Sequence, residues 1–280
     1  MSARESLTVN TSALHIFQVL RIFSTARTPM GVAEVSRKLG LPPSTVHRAL
    51  ATLERSEYLT RIENAAKFES GIMPQFLARA LFNRYPIRAL CLPVLRALAA
   101  ATGETSGLSV RLGWYRLRIA IVEGPNDIYR RHRVGATTLL HQIPSGQAML
   151  SLCSDEEVER YRRFVRRRRP EVAAEVDKNS FRKELLADRA RGFAMLVGAG
   201  AEGGGIGLPV RDAAGHPHAG LSVAGPSIAP GGKVDETALA KWQDLRDGLE
   251  AQLRAIADQA LDPFAHVDPD EVEVAPTGLS

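Results

Sequence analysis

The sequence contains few cysteines, few aromatic residues and no long apolar run. Its two cysteines, Cys91 and Cys153, are too few for a disulfide framework or a cysteine-based metal cluster. No stretch reaches the roughly 18 apolar residues that a membrane-spanning helix needs. Residues 1–10 (MSARESLTVN) lack the apolar core of a secretory signal. These absences argue against a secreted or membrane protein and predict a cytoplasmic one.

Catalytic and metal-binding motifs are also missing. His216 and His218 lie in a turn rich in glycine and proline, with no Cys, Asp or Glu at ligand spacing. No Gly-x-Ser-x-Gly elbow accompanies a histidine and an acid, and residues 203–205 do not fit a phosphate-binding loop. We therefore expect a protein that is not an enzyme and that binds no metal or cofactor.

What is present is the balance of a soluble globular chain, with 45% hydrophobic and 24% charged residues. At about 100–200 residues per domain, the length predicts two domains. The net charge of +5 is unevenly spread, since residues 71–172 hold seventeen Lys and Arg against eight acids, whereas residues 173–280 hold ten against seventeen. The run Arg160–Arg169 contains seven arginines. It fits a solvated helix end before Pro170 better than a nucleic-acid surface, because nothing aromatic or glycine-rich accompanies it.

The first 72 residues carry the pattern of a winged helix-turn-helix. Apolar spacings of three and four predict a helix from Thr11, and a short second helix ends at Gly40. Pro43 fits the first turn of a third helix. Two short strands at residues 58–62 and 67–70 complete a hairpin. Helix, short helix, tight turn, helix and hairpin is the order of that module.

The third helix has two different faces. At 100° per residue, Val46, Ala49, Leu50 and Leu53 share one side, which we predict to be core. The opposite arc is hydrogen-bonding and cationic, and the N-terminal half of such a helix enters the major groove of DNA. We expect Arg48 to read a base edge there. The predicted DNA-contacting residues are Ser44, Thr45, His47, Arg48, Thr52 and Arg55 on the helix, and Arg61 and Lys67 on the hairpin.

The remaining chain predicts an α+β domain. Helices over residues 73–102 are expected to link two domains and to pack against a partner chain. After Gly103 the apolar period changes from 3.6 to 2, which is typical of strands. Strands, then helices, then strands, without βαβ alternation, indicate a sensor-type domain closed by a long helix. Residues 263–280 hold four acids and no base, so we expect a disordered tail.

The segment LGLPPSTVHRALATLERSEYL, residues 39–59, resembles the helix-turn-helix of the IclR (isocitrate lyase regulator) family of bacterial transcription factors. Residues 93–103 (PVLRALAAATG) resemble its linker helix, and residues 134–150 (VGATTLLHQIPSGQAML) its ligand-loop segment. Two segments within residues 206–226 resemble the two closing strands of the family's C-terminal domain. The likeness runs in register over about residues 8–262.

The resemblance implies a DNA-binding domain at residues 8–72, linker and dimerisation helices at 73–102, and a GAF-like effector-binding domain at 103–262. It also implies dimers that pair into tetramers. Operator binding would be controlled by a small metabolite, which in this family is typically a carboxylate or an aromatic-pathway intermediate.

The ligand-loop segment departs from the family pattern. Ile143 and Pro144 replace the usual Thr-Ala, Gln147 stands in place of a lysine, and Ala224 replaces the second of two serines, of which Ser222 remains. The loss of polar groups favours a larger, aromatic or relatively apolar carboxylate. We expect the effector to contact His141, Ile143, Pro144, Ser145, Gly146, Met149, Met195, Gly205 and Ser222.

Two alternatives stay open at this point. A ligand-independent repressor, whose C-terminal domain only oligomerises, would also explain the missing polar groups. An enzyme is less favoured, because no residues are left to carry the chemistry. Arg133 or His132 could face an effector carboxylate, but on an alternating strand each could equally face solvent.

Overall fold

The computed structural model divides into two compact units, Met1–Arg84 and Tyr85–Ser280. None of the helices that it describes has the length and apolar character needed to cross a membrane. The residues described are 10–24, 26, 28–84, 87–125, 134–197, 204–211, 215–225, 236–255 and 268–272.

The first unit is the predicted winged helix-turn-helix. Its strands form an antiparallel sheet in the order β1-β3-β2. The two-residue strand β1 was not predicted, because two residues are too few to show a period. The elements are α1 (Thr11–Phe23), β1 (Met30–Gly31), α2 (Val32–Leu39), α3 (Pro43–Arg55), β2 (Leu59–Arg61), β3 (Lys67–Ser70) and α4 (Met73–Arg84).

The turn between α2 and α3 is fixed by two residues of special backbone geometry. Gly40 has φ 66°, a left-handed conformation that glycine adopts without steric cost, and it ends α2 as predicted. Pro43 occupies the first turn of α3, where its missing N–H is not needed. The Ser36 hydroxyl donates to the Leu41 carbonyl at 2.5 Å and closes the turn.

One core holds the first unit together. The four apolar residues of α3 that were predicted to be core, Val46, Ala49, Leu50 and Leu53, are all buried. They pack in one cluster with Val19, Phe23, Met30, Val35, Leu59 and Phe68 from the other elements. The core therefore fixes which side of α3 points outward.

The second unit is α+β, as predicted. Its six strands form one antiparallel sheet in the order β6-β5-β4-β9-β8-β7. The elements are α5 (Ile87–Thr102), β4 (Thr105–Leu112), β5 (Tyr115–Val122), β6 (Thr137–Leu139), α6 (Pro144–Ser151), α7 (Asp155–Arg168), α8 (Ala173–Asp177), α9 (Asn179–Arg191), β7 (Ala194–Val197), β8 (Gly204–Arg211), β9 (Pro217–Gly225) and α10 (Glu236–Ala255).

The predicted linker over residues 73–102 is divided between the two units, because α4 belongs to the first and α5 to the second. Helix α5 buries Cys91, Leu95 and Leu98. The buried Ser106 hydroxyl of β4 donates to the Leu95 carbonyl at 2.7 Å. Helix α5 is thus part of the packing of the second unit, which periodicity within the helix could not reveal.

Strand β4 is covered on both faces. Ser106 contacts α5, whereas the Ser109 hydroxyl accepts a 3.4 Å hydrogen bond from the Ser145 hydroxyl of α6. Residues paired opposite one another in neighbouring strands lie on the same side of a sheet. We call the side that carries Ser109 and its paired residues the α6 face. The register in the six strands then decides which side chains lie on it.

Several arginines of the run Arg160–Arg169 pair with groups of their own unit. Arg162 and Arg166 both pair with Asp177, at 3.6 and 2.7 Å. Arg169 donates to the Tyr115 hydroxyl at 3.3 Å. These contacts support the interpretation of the run as a solvated helix end rather than a nucleic-acid surface.

Residues 268–272 correct the prediction of a disordered tail. Asp270 accepts a 2.6 Å hydrogen bond from the indole N–H of the fully buried Trp114, and its other oxygen pairs with Arg160 at 2.9 Å. Val272 packs against the same core cluster. Acidic composition predicted disorder, but a buried indole N–H needs an acceptor, and this stretch supplies one.

We expect Asp270→Asn to lower the free energy of unfolding by about 1 kcal/mol at neutral pH, because a neutral amide replaces a charged acceptor. Burial raises the pKa of Asp270, but the hydrogen bonds from Trp114 and Arg160 outweigh it and leave the pKa below its usual value. The stabilisation is therefore complete above the unfolded-state pKa of about 3.9 and is lost as the pH falls through the lower folded-state value.

Thermal denaturation from neutral pH down to below the unfolded-state pKa of about 3.9 measures the difference in the free energy of unfolding between Asp270→Asn and the unchanged chain. Asp244→Asn, at an exposed position of α10, is the control and is expected to stay within about 0.5 kcal/mol. A loss at Asp270 that does not depend on pH would contradict the assigned contact.

Candidate functional site

Helix α3 presents the predicted polar surface. Ser44, His47, Arg48 and Arg55 are exposed, whereas Thr45 is half-buried. In the part of the chain that the structure describes, no carboxylate pairs with Arg48 or Arg55. Their guanidinium groups are therefore available for an external acceptor.

Thr52 differs from the other residues of this surface. It is exposed, and its hydroxyl donates to the Arg48 carbonyl of the preceding turn at 2.9 Å. A phosphate oxygen only accepts hydrogen bonds at neutral pH, so Thr52 can meet a phosphate only by giving up this bond.

The hairpin of β2 and β3 carries the other two predicted cations. Arg61 and Lys67 are both exposed. The Arg61 guanidinium lies 5.9 Å from the centre of the Phe68 ring, a cation–π distance that orders its side chain. The hairpin turn places Asn64 at φ 61°, a left-handed conformation that asparagine tolerates. Two cations thus project from a short hairpin with a defined turn.

The predicted ligand loop lies on the α6 face. A Cβ added at Gly207 would stand 2.0 Å from the Pro144 carbonyl oxygen, and one at Gly220 would stand 2.6 Å from the Ser145 carbonyl oxygen. At Gly205 the nearest atom would be a Pro144 ring carbon at 2.7 Å. These glycines let the start of α6 approach the sheet, and they bring three predicted effector residues together.

Ser222 also lies on the α6 face. It pairs with Gly107 on one side and Gly207 on the other, and it is buried. Its hydroxyl donates to the Gly107 carbonyl at 3.4 Å and accepts from the Arg118 guanidinium at 3.3 Å. Ser222 is therefore placed beside a cation that was not among the predicted site residues.

Two buried arginines of β5 complete this face. Arg118 pairs with Ser109, and Arg116 pairs with Arg111 and Thr138, so both lie on the α6 face. Arg116 and Arg118 are each only 3% exposed. The signal for them was their alternation with apolar residues along one strand. Alternation alone reads the same for a solvent-exposed face and for a covered one, which is why sequence reasoning did not select them.

The electrostatics of the two arginines follow from burial. Desolvation lowers the pKa of Arg118 to about 10, and it lowers the pKa of Arg116 with a further contribution from the charge of Arg118. Both guanidinium groups still keep their charge at neutral pH, since arginine is not deprotonated in proteins. The α6 face therefore holds two neighbouring positive charges that are buried.

Both ring nitrogens of His141 have partners within the domain. Its backbone N–H donates to the Tyr161 hydroxyl at 3.2 Å, and its Nδ1 lies 2.5 Å from that hydroxyl. Its Nε2 lies 2.8 Å from a Glu175 carboxylate oxygen. The hydroxyl proton thus points to Nδ1, and the ring proton belongs on Nε2. Burial lowers the pKa of His141, and the contact with Glu175 acts in the opposite direction.

The structure separates the two predicted effector methionines from the residues that meet at the start of α6. Met149 is fully buried and packs in the core cluster that contains Trp114. Met195 pairs with Ile206, whose neighbours in the strand, such as Gly205, lie on the α6 face. Because side chains alternate along a strand, Met195 lies on the opposite face from the other predicted effector residues.

The rest of the ligand loop is held by packing. Ile143 is half-buried just before α6. A Cβ at Gly146 would stand 2.3 Å from the Leu140 carbonyl oxygen. The Gln147 amide donates to the buried Asp188 carboxylate at 2.7 Å and ties α6 to α9. These contacts fix the loop on the sheet.

Two further candidates are not placed. His132 and Arg133 lie outside the described residues. Within the described ranges, no group of three or more His, Cys, Asp or Glu is arranged to hold a metal ion.

Both parts of the chain match known protein families. Residues 12–63 match the IclR helix-turn-helix domain, and residues 79–242 match the bacterial transcriptional regulator IclR C-terminal domain. The chain belongs to the IclR family. It is therefore a DNA-binding transcriptional regulator and not an enzyme, as the sequence predicted.

Two curated regulators illustrate the relationship within the IclR family. The chain is 28% identical to the HTH-type transcriptional regulator BhcR of Paracoccus denitrificans over 217 aligned residues. The aligned region covers 77% of this chain and 76% of that protein. It is 26% identical over 198 residues to the glycerol operon regulatory protein of Streptomyces coelicolor, covering 69% of this chain and 76% of that protein.

Solved IclR structures share the fold. An IclR family regulator from Brucella abortus matches with a TM-score of 0.72 and 20% identity, over 90% of this chain and 96% of that one. An IclR homologue from Microbacterium hydrocarbonoxydans, complexed with 4-hydroxybenzoate, matches with a TM-score of 0.70 and 21% identity, over 88% of this chain and 100% of that one.

We expect Gly207→Ala to lower the free energy of unfolding by about 1–3 kcal/mol, because the added methyl would overlap the Pro144 carbonyl and push α6 off the sheet. Urea denaturation measures the loss. Gly248→Ala in α10 is the matched control, because a Cβ there has no neighbour within 4 Å. That control is expected to be neutral or slightly stabilising, since alanine favours the helix. Equal stability of Gly207→Ala and the unchanged chain would contradict the close approach.

Proposed function

We propose that this regulator reads its operator with α3 and the β2–β3 hairpin, and that a small carboxylate bound on the α6 face controls that binding. The observation that carries the proposal is the exposed polar side of α3, fixed outward by a core that buries its other side. An amphipathic helix held in this way is the element that a winged helix-turn-helix inserts into the major groove.

The individual DNA contacts follow from chemistry and position. Arg48, with His47 beside it, lies in the middle of the exposed arc and can bond both acceptors of a guanine edge. Ser44 and Thr45 stand in the first turn, where their hydroxyls suit a phosphate or a base edge. Thr52 and Arg55 further along α3, and Arg61 and Lys67 on the hairpin, would hold the DNA backbone.

We also propose a cytoplasmic dimer that pairs into a tetramer. A dimer would present two copies of α3 to successive major grooves, whose half-sites lie about 34–36 Å apart or at a multiple of that distance. A ligand that changes the separation of the two helices would then change operator affinity.

The effector class is proposed from two observations. In the ligand loop, Ile143 and Pro144 stand where the family pattern has Thr-Ala, and Gln147 stands where it has a lysine. A homologue of the same fold forms a complex with 4-hydroxybenzoate, an aromatic carboxylate. The competing proposal is a ligand-independent repressor, which the altered loop also allows.

We expect Arg48→Ala to weaken binding to the preferred operator by about 1–3 kcal/mol and to relax the preference at one base pair. The operator is first selected from random duplexes with the unchanged chain. Lys67→Ala is the contrast, because loss of a phosphate contact weakens all sequences alike and lowers the salt slope by about one unit. Filter binding over a salt series distinguishes the two effects. Unchanged operator affinity of Arg48→Ala would remove Arg48 from the reading surface.

We expect 4-hydroxybenzoate and protocatechuate to bind the full chain more tightly than pyruvate and glyoxylate, because the ligand loop has become more apolar. Calorimetry measures the affinities, and operator binding with each acid measures control. Tight keto-acid binding would contradict the apolar assignment. An operator affinity that none of the bound acids changes would favour the ligand-independent repressor.

A further inference from the structure

Arg116 and Arg118 are buried cations that have no counter-ion among the residues that the structure describes. Their hydrogen-bond partners are neutral hydroxyls, since Arg116 donates from Nε to Thr138 at 2.8 Å and Arg118 donates from Nη1 to Ser222 at 3.3 Å. Nη1 of Arg116 and Nε of Arg118 are buried and have no hydrogen-bond partner. Among the described residues, no carboxylate pairs with either guanidinium.

This arrangement is unfavourable for the protein alone. A charge removed from water is destabilising unless an opposite charge meets it, and two like charges side by side add repulsion. Apolar side chains of similar volume would fill the same positions without that cost. A pair of this kind is therefore better suited to binding an anion than to stabilising the domain.

A third arginine of the same face provides the contrast. Arg111 pairs with Arg116 across the strands, but it has partners of its own. Its guanidinium lies 3.5 Å from a Glu157 carboxylate oxygen and 4.9 Å from the centre of the Trp114 ring. Arg111 is a structural cation, whereas no carboxylate of the described residues neutralises Arg116 or Arg118.

The position of Arg118 connects the pair to the proposed effector site. A Cβ at Gly107 would stand 1.5 Å from its Nη1, so the guanidinium occupies the space that the glycine leaves free. From there it reaches Ser222, a predicted effector residue. Arg116 is two residues away on the same strand, with Cα atoms about 7 Å apart. Two guanidinium forks at this separation can each bind one carboxylate through paired N–H groups.

We propose that Arg116 and Arg118 form an anion-binding subsite on the α6 face, and that the effector is a dicarboxylate. The inference rests on the proposed function, since it assumes that the effector binds on this face. It adds that the effector carries two negative groups, one for each arginine. Inorganic phosphate could also bridge two guanidinium groups, and the experiment separates these sources.

The experiment compares acids that differ in one carboxylate. Phthalate is compared with benzoate, succinate with butyrate, and phosphate is measured alone, by calorimetry and by thermal denaturation of the full chain. We expect a dicarboxylate to bind at least about tenfold more tightly than its monocarboxylate partner and to raise the midpoint of denaturation. Phosphate binding without dicarboxylate binding, or no binding by any of these dianions, would overturn the proposal.

Variants test the two arginines directly. Arg118→Met is expected to lose roughly thirtyfold or more of the dicarboxylate affinity, while its denaturation midpoint without ligand stays unchanged or rises. A structural arginine would show the reverse, with a lower midpoint and unchanged affinity. That reverse pattern is expected for the control Arg111→Met. Arg118→Lys keeps the positive charge but lacks the paired N–H groups of a guanidinium, and it replaces Arg118→Met if that variant fails to fold. We expect Arg118→Lys to bind the dicarboxylate with intermediate affinity. An unchanged affinity would overturn the proposed paired contact of Arg118 with a carboxylate.

Failure of this proposal is distinguishable from failure of the proposed function. Operator affinity is measured for each variant with and without dicarboxylate. If a dicarboxylate binds through Arg118 but leaves operator affinity unchanged, the subsite stands and effector control fails. If only monocarboxylates bind and they alter operator affinity, effector control stands and the dicarboxylate subsite is wrong.

Discussion

The antiparallel register around strand β4 is the constraint on which the second unit depends. This strand is covered by α5 on one side and by α6 on the other. A shift of one residue in the pairing of β4 would move each of its side chains from the face covered by one helix to the face covered by the other. The register places Ser109, Arg118 and Gly220 in one row, with Gly107 and Ser222 in the next. The composition of the α6 face is therefore a consequence of strand pairing.

Close packing determines which residues this face can carry. Glycine is required where Pro144 and Ser145 meet the sheet, because a side chain there would overlap the backbone of the loop. That contact holds the loop in place, while His141 and Gln147 fasten it to neighbouring helices. The loop is thus fixed by groups that need not touch a ligand. In our proposal, the arginines of β5 bind the anion.

In the first unit, the residues that stabilise the core and the residues that are exposed lie on opposite sides of α3. One side of α3 packs in the core with α1, α2 and the hairpin, and the other side is exposed. An outward residue of α3 can therefore be replaced without opening the core. This division is possible because the helical period brings the buried residues to one stripe, whatever the neighbouring elements are.

Periodicity and turn residues such as Gly40, which act within short segments, predicted the winged helix-turn-helix, the faces of α3 and the α+β class of the second unit. The packing of distant elements was needed to place Met195 away from Ser222 and Asp270 against Trp114. The same packing buries the arginines of β5. These facts depend on contacts between residues distant in the chain, and a local pattern does not specify what packs against it.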